Sequence, residues 1–315
     1  MASFNFLKEA KVYVVYGGNQ YNVDVSSISF SQTFKESGYA KKTLHNQKNV
    51  FEGSVINKAN PANFQFTFPA IKEDDFSVIF DLLVDYNGST NKVKTFDLYI
   101  STQLDVFKLE TCVITNGEFV IEKSRPLSLT VSGDASKLSF AGAKASFTIP
   151  GSVQSRSSSM GYNMNPVVSV TLDSQALQNI VSVAVELQND IDWNPYSTVH
   201  QALNVTNASN AMYPTDFALK RRSLAGSISR YVTEEKGTIG ASTNALALQS
   251  WDEAASIAIT AGEGSGGSFR GFSFTGNCSY TNRMGVGSVF VQSYDWKLID
   301  NPTQLSSIIS YTTGA

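Results

Sequence analysis

Apolar and polar residues alternate without a break from Asn63 to Phe68: Phe64, Phe66 and Phe68 fall on one side, Asn63, Gln65 and Thr67 on the other. A period of two is the pattern of a half-buried β-strand, and it excludes a helix at that place. The same period runs from Val23, where Val25 gives way to Ile28 and Phe30 against Ser27, Ser29 and Ser31. It returns at Ile180, with Val181, Val183, Val185 and Leu187 against Ser182, Ala184, Glu186 and Gln188. Phe34 to Lys48 loses the alternation and carries Lys35, Lys41, Lys42 and Lys48 around Gly38 and Tyr39, and Val50 to Val55 reads as a returning strand. The stretch Val23 to Val55 is therefore a long hairpin arm with a basic tip. A second arm follows Ile180, closed by FALKRRSLAGSISRYV, in which KRRSLAGSI resembles NQKNVFEGSV. Two such arms imply an internal duplication.

A chain of 315 residues can bury a substantial core and suggests about two domains of ~150 residues. The expected organisation is a first module over 1–150, a linker over 151–165 (PGSVQSRSSSMGYNMN begins at Pro150) and a second module over 166–315. The fold class is mainly β: two tandem β-sandwich or barrel modules, each with a long hairpin arm and one packed helix. Charge is sparse, 16% of residues with a net of −3, so the basic excess of a nucleic-acid clamp is missing. No apolar run reaches the ~18 residues of a membrane span, so no membrane anchor is expected. The opening MASFNFLKEAKVYVVYGG has a Phe-rich patch but not the layout of a signal peptide. Cys112 and Cys278 are too few for a disulfide framework and read as small buried hydrophobes.

Further strands are expected at Lys11 to Tyr16, turning at Gly17-Gly18 and returning over Gln20 to Val25, and at Thr95 to Ile100, Lys108 to Ile121, Leu127 to Val131 and Ala145 to Ile149. Asn116-Gly117 reads as a turn inside the third of these. Glu73 to Tyr86 is the one well-defined helix: Phe76, Ile79, Phe80 and Leu83 share a face, and Glu73, Asp74 and Asp75 complement the dipole of the first turn. In the second half, strands are expected at Val167 to Leu172, Leu224 to Val232, Ser256 to Thr260, Phe269 to Tyr280 and Ser288 to Leu298, with Asn244 to Ala255 in the place of the helix and a polar tail to Ala315 draped on a neighbour.

Catalytic constellations are nearly absent, so the expectation is no enzyme, no cofactor and no metal. His45 and His200 lie in the arms without a Cys or a HExxH context. Gly262 to Gly267 satisfies G-x-G-x-x-G, but a strand follows where a dinucleotide site needs a helix, so it reads as a hairpin loop. The run Lys220-Arg221-Arg222 reads as a solvated or intersubunit face. The arms expose Phe34, Tyr39, Lys41, Lys42, Leu44, Trp193, Tyr196 and Leu203, and aromatics in protruding segments are candidates for ring and stacking contacts.

VSSISFSQTF with its basic loop, FEGSVINK, NFQFTFP followed by EDDFSVIFDLL, and ETCVITNGEFVIE resemble the tail-tube (major tail) proteins of long-tailed bacteriophages, in both halves over about 10–150 and 165–300. The resemblance implies a virion tail subunit, assembled in the host cytoplasm, whose modules close into stacked rings around a DNA channel. Two modules per chain imply trimeric, pseudo-hexameric rings. The implied partners are the chain itself, the tape-measure protein, the tail terminator and baseplate or tail-tip proteins, and DNA would pass without specific binding. A lumen that must let DNA slide suits the polar alternates Ser29, Ser31, Thr115, Glu118, Ser182 and Glu186. The alternative is a tail-tip or carbohydrate-binding β-sandwich adsorption protein, and contractile and non-contractile tails both stay open.

Overall fold

The structure is a computed structural model that describes residues 10–39, 53–68, 74–87, 92–122, 125, 127–154, 167–193, 212–232, 254–263, 269–287 and 290–312. It is mainly β, as the alternation requires. In chain order the first half supplies β1 (Lys11–Tyr16), β2 (Asn19–Val23), β3 (Ser27–Ser31), β4 (Phe34–Tyr39), β5 (Gly53–Ala59) and β6 (Ala62–Phe68). The helix α1 (Asp74–Val84) follows, then β7 (Tyr86–Asn87), β8 (Lys92–Val93), β9 (Phe96–Ser101), β10 (Asp105–Glu122), β11 (Ser128–Ala135), β12 (Lys137–Ala143) and β13 (Ser152–Val153). The second half supplies β14 (Val167–Leu172), β15 (Gln175–Ala176), β16 (Ile180–Trp193), β17 (Phe217–Val232), β18 (Ala254–Glu263), β19 (Arg270–Val286), β20 (Phe290–Leu298) and β21 (Ile309–Thr312).

Apart from the small ribbons β4–β5 and β7–β8, the strands form one continuous barrel-like hydrogen-bonded system. Its main layer runs β3–β6–β11–β10–β16–β17–β20–β19, antiparallel at every step. The order occurs twice, first as β3–β6–β11–β10 and then as β16–β17–β20–β19. The flanking strands repeat as well. The N-terminal part of β10 carries β9, then β1 and β2, with β12 on its other side. The N-terminal part of β19 carries β18, then β14 and β15, with β21 likewise. The halves join where Asn116 to Glu122 of β10 pair with Ser182 to Gln188 of β16.

One core serves both halves. Phe64, Phe66 and Phe68 are buried, and Phe119 of β10 meets Phe272 of β19 with ring centroids 4.8 Å apart. On α1, Ile79, Leu82 and Leu83 are fully buried, while Phe80 touches both Phe119 and Tyr311 of β21. The helix thus lies on the apolar side of the main sheet, as its amphipathic spacing predicts.

Several boundaries differ from the sequence reading, each for a physical reason. The strand read through Val23 is interrupted at 24–26, because β2 pairs with β1 in one layer and β3 with β6 in the other. The returning arm strand continues past Val55 to Ala59. Asn116-Gly117 makes no turn: β10 runs straight through it for 18 residues, with a bulge between Ile114 and Asn116. Ala145 to Ile149 is not a strand, because β12 already holds that edge of β10, and the amides of Ser146 and Phe147 donate back to the carbonyl of Ala143. Part of the tail pairs with its own chain, as β21 on β19. Ala254 and Ala255 begin a strand; the rest of the expected second helix, 244–253, lies outside the described residues, as does 155–166 of the linker.

Candidate functional site: a polar sheet face and an internal junction

The pleat of the main sheet sends successive side chains to opposite faces. One row across all eight strands reads Ser27, Thr67, Thr130, Glu118, Glu186, Ala225, Lys297, Ser279. A neighbouring row reads Ser29, Gln65, Ser132, Asn116, Gln188, Ser223. The intervening row on the other face reads Ile28, Phe66, Val131, Gly117, Leu187, Leu224, and the row beyond the first reads Phe68, Leu129, Phe119, Val185, Gly226, Trp296, Tyr280; both belong to the core side. The sheet is therefore polar on one side and apolar on the other across both halves. Hydroxyls dominate the polar side and satisfy one another across strands: Ser31 Oγ donates to Asn63 Oδ1, Thr67 meets Thr130, and Ser229 meets Ser293.

This face collects most of the expected lumen residues. Ser29 and Ser31 are exposed on β3, Glu118 on β10 stands directly opposite Glu186 on β16, and Ser182 stands opposite Glu122. Thr115 is the inserted residue of the β10 bulge, and its hydroxyl donates to the carbonyl of Ser132. Gln188 Nε2 donates to Glu186 Oε1 at 2.9 Å. Among the described residues no cation forms an ion pair with Glu118 or Glu186, so the centre of the face carries two facing carboxylates.

The expected interface residues separate. Phe34 is 45% exposed and meets the ring of Tyr213 edge-on. Tyr39 ends β4, although its side chain lies outside the description, as do Lys41, Lys42, Leu44, Tyr196 and Leu203 entirely. Trp193 is engaged within the chain: it packs on Phe217 at 5.2 Å and donates its indole N–H to Asp134 Oδ2 at 3.3 Å. That bond anchors the foot of the second arm on β11. Burial raises the Asp134 carboxyl above its ordinary value, against the opposing pull of the indole hydrogen bond. Ser136 donates to the carbonyl of Pro214, Lys137 lies over the ring of Tyr213, and Lys92 pairs with Asp216. The partners in these four contacts are 59 to 124 positions apart, so sequence offered no signal for the seat they form.

The run Lys220-Arg221-Arg222 divides. Lys220 pairs with Asp192, and Arg221 lies 3.8 Å from Asp190. Arg222 turns inward, donating to Asn189 Oδ1 at 2.7 Å and to the carbonyl of Leu83 at 2.9 Å. A cation at the C-terminal end of α1 suits the helix dipole. Burial pushes the thiol of Cys278 up to about 12 and that of Cys112 up as well, the opposite of nucleophile activation. No metal-holding group of three or more His, Cys, Asp or Glu occurs among the described residues.

A repeated strand order with one hydroxyl-rich sheet face and an arm anchored on its own chain defines a repeat-type β-protein. A family profile identifies which: residues 2–246 match the Bacteriophage Baseplate Tube Protein Family, and the chain belongs to that family. It is accordingly a structural component of the phage tail or baseplate. No curated protein matches the chain.

Proposed function

We propose that this protein is a wall subunit of the tail tube, in the part that traverses the baseplate, and that DNA leaves the virion along the polar face of its main sheet. The observation that carries this reading is the eight-strand sheet whose one side is hydroxyl-rich and whose other side is core. Hydroxyls and carboxylates outnumber Lys297 and the Asp295-paired Arg283 on that face, so passing DNA gains little counterion-release affinity. The twofold repeat of the strand order supports two tube modules per chain, and hence rings of three copies with pseudo-sixfold symmetry that stack along a free axis. Neighbouring baseplate proteins, the tape-measure protein and a terminator at the tube end are the partners of such a part. Electron microscopy of the purified chain over a range of concentrations tests the reading. Hollow rings or tubes with threefold symmetry and six similar lobes are expected. A chain that stays monomeric at high concentration and beside its baseplate partners would overturn it.

A further inference from the structure

The strand order β3–β6–β11–β10 followed by β16–β17–β20–β19 has two ends, and both ends are open. On the side away from β6, β3 has no partner strand among the described residues, and neither has β19 beyond Ser279 on the side away from β20. These ends are the structural counterparts of the strands that meet inside the chain: β19 corresponds to β10, and β3 to β16.

Two independent landmarks align them. Both arms carry a bulge at their base, between Lys35 and Glu36 in β4 and between Asp190 and Ile191 in β16, which equates Ser29 with Ala184 and Ser31 with Glu186. In both long strands one ladder ends and another begins beside a buried cysteine: β9 ends at Cys112 and β11 begins at Val113, while β18 ends at Ser279 and β20 begins at Cys278. With the β10 bulge allowed for, that equates Asn116 with Thr281 and Glu118 with Arg283. The landmarks agree: the row Ser29, Gln65, Ser132, Asn116 falls on the row Ala184, Ser227, Asp295, Thr281.

Resting on the ring reading above, we infer that a second copy of this chain docks head to tail, its β3 pairing antiparallel with β19 so that Ser31 stands opposite Arg283, and its β4–β5 arm entering the cleft beside β17. An even number of strands per copy presents β3 to β19 in the antiparallel sense already used by β10 and β16. Burial agrees. Val183 and Val185 at the internal junction are 1% and 0% exposed, whereas their counterparts Ile28 and Phe30 are only half-buried. Asn189 is buried against the carbonyls of Ile114 and Leu83, whereas its counterpart Phe34 is one of the exposed large apolar side chains.

The cleft has a volume of about 550 Å³ and is lined in part by Gln188, Lys220, Arg222, Lys297, Asp300 and Leu305. Lys297 and Asp300 hold the places of Asp134 and Lys137, on which the foot of the second arm rests in the first half. Ile299, 54% exposed, holds the place of Ser136. The second half thus contains the same seat, unfilled by the described residues of the chain, and the β4–β5 arm is the equivalent element to fill it.

Paired cysteines test the register. Cα separations across antiparallel strands, ~4.5–5.5 Å, fall within disulfide range, whereas an offset of four residues does not. The native thiols are buried and leave the introduced pair to react. In assembled Ser31→Cys/Arg283→Cys protein, oxidation should cost the monomer band and yield a covalent ladder ending in a closed ring, while Ser29→Cys/Thr281→Cys stays monomeric on denaturing gels. Amides of 27–31 and 281–286 in the unaltered chain should gain hydrogen-exchange protection on assembly, a readout that stands even where the cysteine variant fails to assemble. Assembled rings without that protection, or cross-linked only by the offset pair, would overturn this junction and leave the tube reading standing. A chain that forms no rings at all removes both.

Discussion

Two glycines mark where the sheet is packed too closely for any side chain. A Cβ on Gly117 would lie 2.4 Å from Leu83 Cδ2, and one on Gly226 would lie 2.1 Å from the carbonyl oxygen of Ala184 and 2.6 Å from the Trp296 ring. The first obstacle is the end of a flexible side chain and the second includes backbone. Gly117→Ala should therefore cost ~1–3 kcal/mol and Gly226→Ala clearly more, read from denaturant midpoints. In a Leu83→Ala background the Gly117→Ala cost should shrink, since the two share one space, and full additivity would refute that contact. Asp134 offers a second test at this scale. Its folded-state pKa is raised by burial, so its protonation favours the fold below the ordinary carboxylate range, and that contribution is lost as pH rises through the folded value. Asp134→Asn keeps an acceptor for Trp193 without a buried charge. Its Tm should exceed that of the unaltered chain at pH 7, with the gap closing towards pH 4; a gap independent of pH would argue against the burial account.

At the scale of elements, what could be read from sequence was what is local. The Phe64–Phe68 alternation gave β6 to the residue at its C-terminal end, and Phe76 to Leu83 gave α1, which runs Asp74–Val84. Asn116-Gly117 misled because the glycine answers to Leu83, 34 positions away, and not to a turn. The polar alternates Ser29, Ser31, Ser182 and Glu186 were legible as a polar face, but which strands lie side by side was not, since the β10–β16 ladder joins residues 60 to 72 apart. Nor was Arg222, which reads as one of three surface cations until the sheet brings it to the last turn of α1. Arg222→Ala should leave the Leu83 carbonyl and Asn189 Oδ1 short of a donor and cost ~1–3 kcal/mol, whereas Arg221→Ala on the exposed side should change stability by less than ~0.5 kcal/mol. Equal effects in urea titrations would contradict the inward placement.

For the whole molecule, the deciding property is the charge of the polar face at the junction of the halves. Glu118 and Glu186 face each other there, and directly opposed like charges weaken a strand pair by roughly 0.2–1 kcal/mol. A purely structural sheet has no use for that cost, but a channel wall that must repel phosphates does. The two roles come apart by substitution. Glu118→Gln/Glu186→Gln removes the repulsion and should raise stability by about that amount, leaving DNA release from otherwise intact virions close to its normal rate. Glu118→Lys/Glu186→Lys restores like-charge opposition with the sign reversed, so its stability stays near that of the unaltered chain while the face turns attractive to DNA. Each phosphate then neutralised adds about 0.9 to the slope of log affinity against log salt, so release, followed by dye fluorescence of escaping DNA, should slow at low ionic strength and recover as salt is added. Slow release that salt does not relieve would point to damaged assembly. Unchanged release by the lysine variant, in virions that still contain it, would mean that this face does not line the path of the DNA.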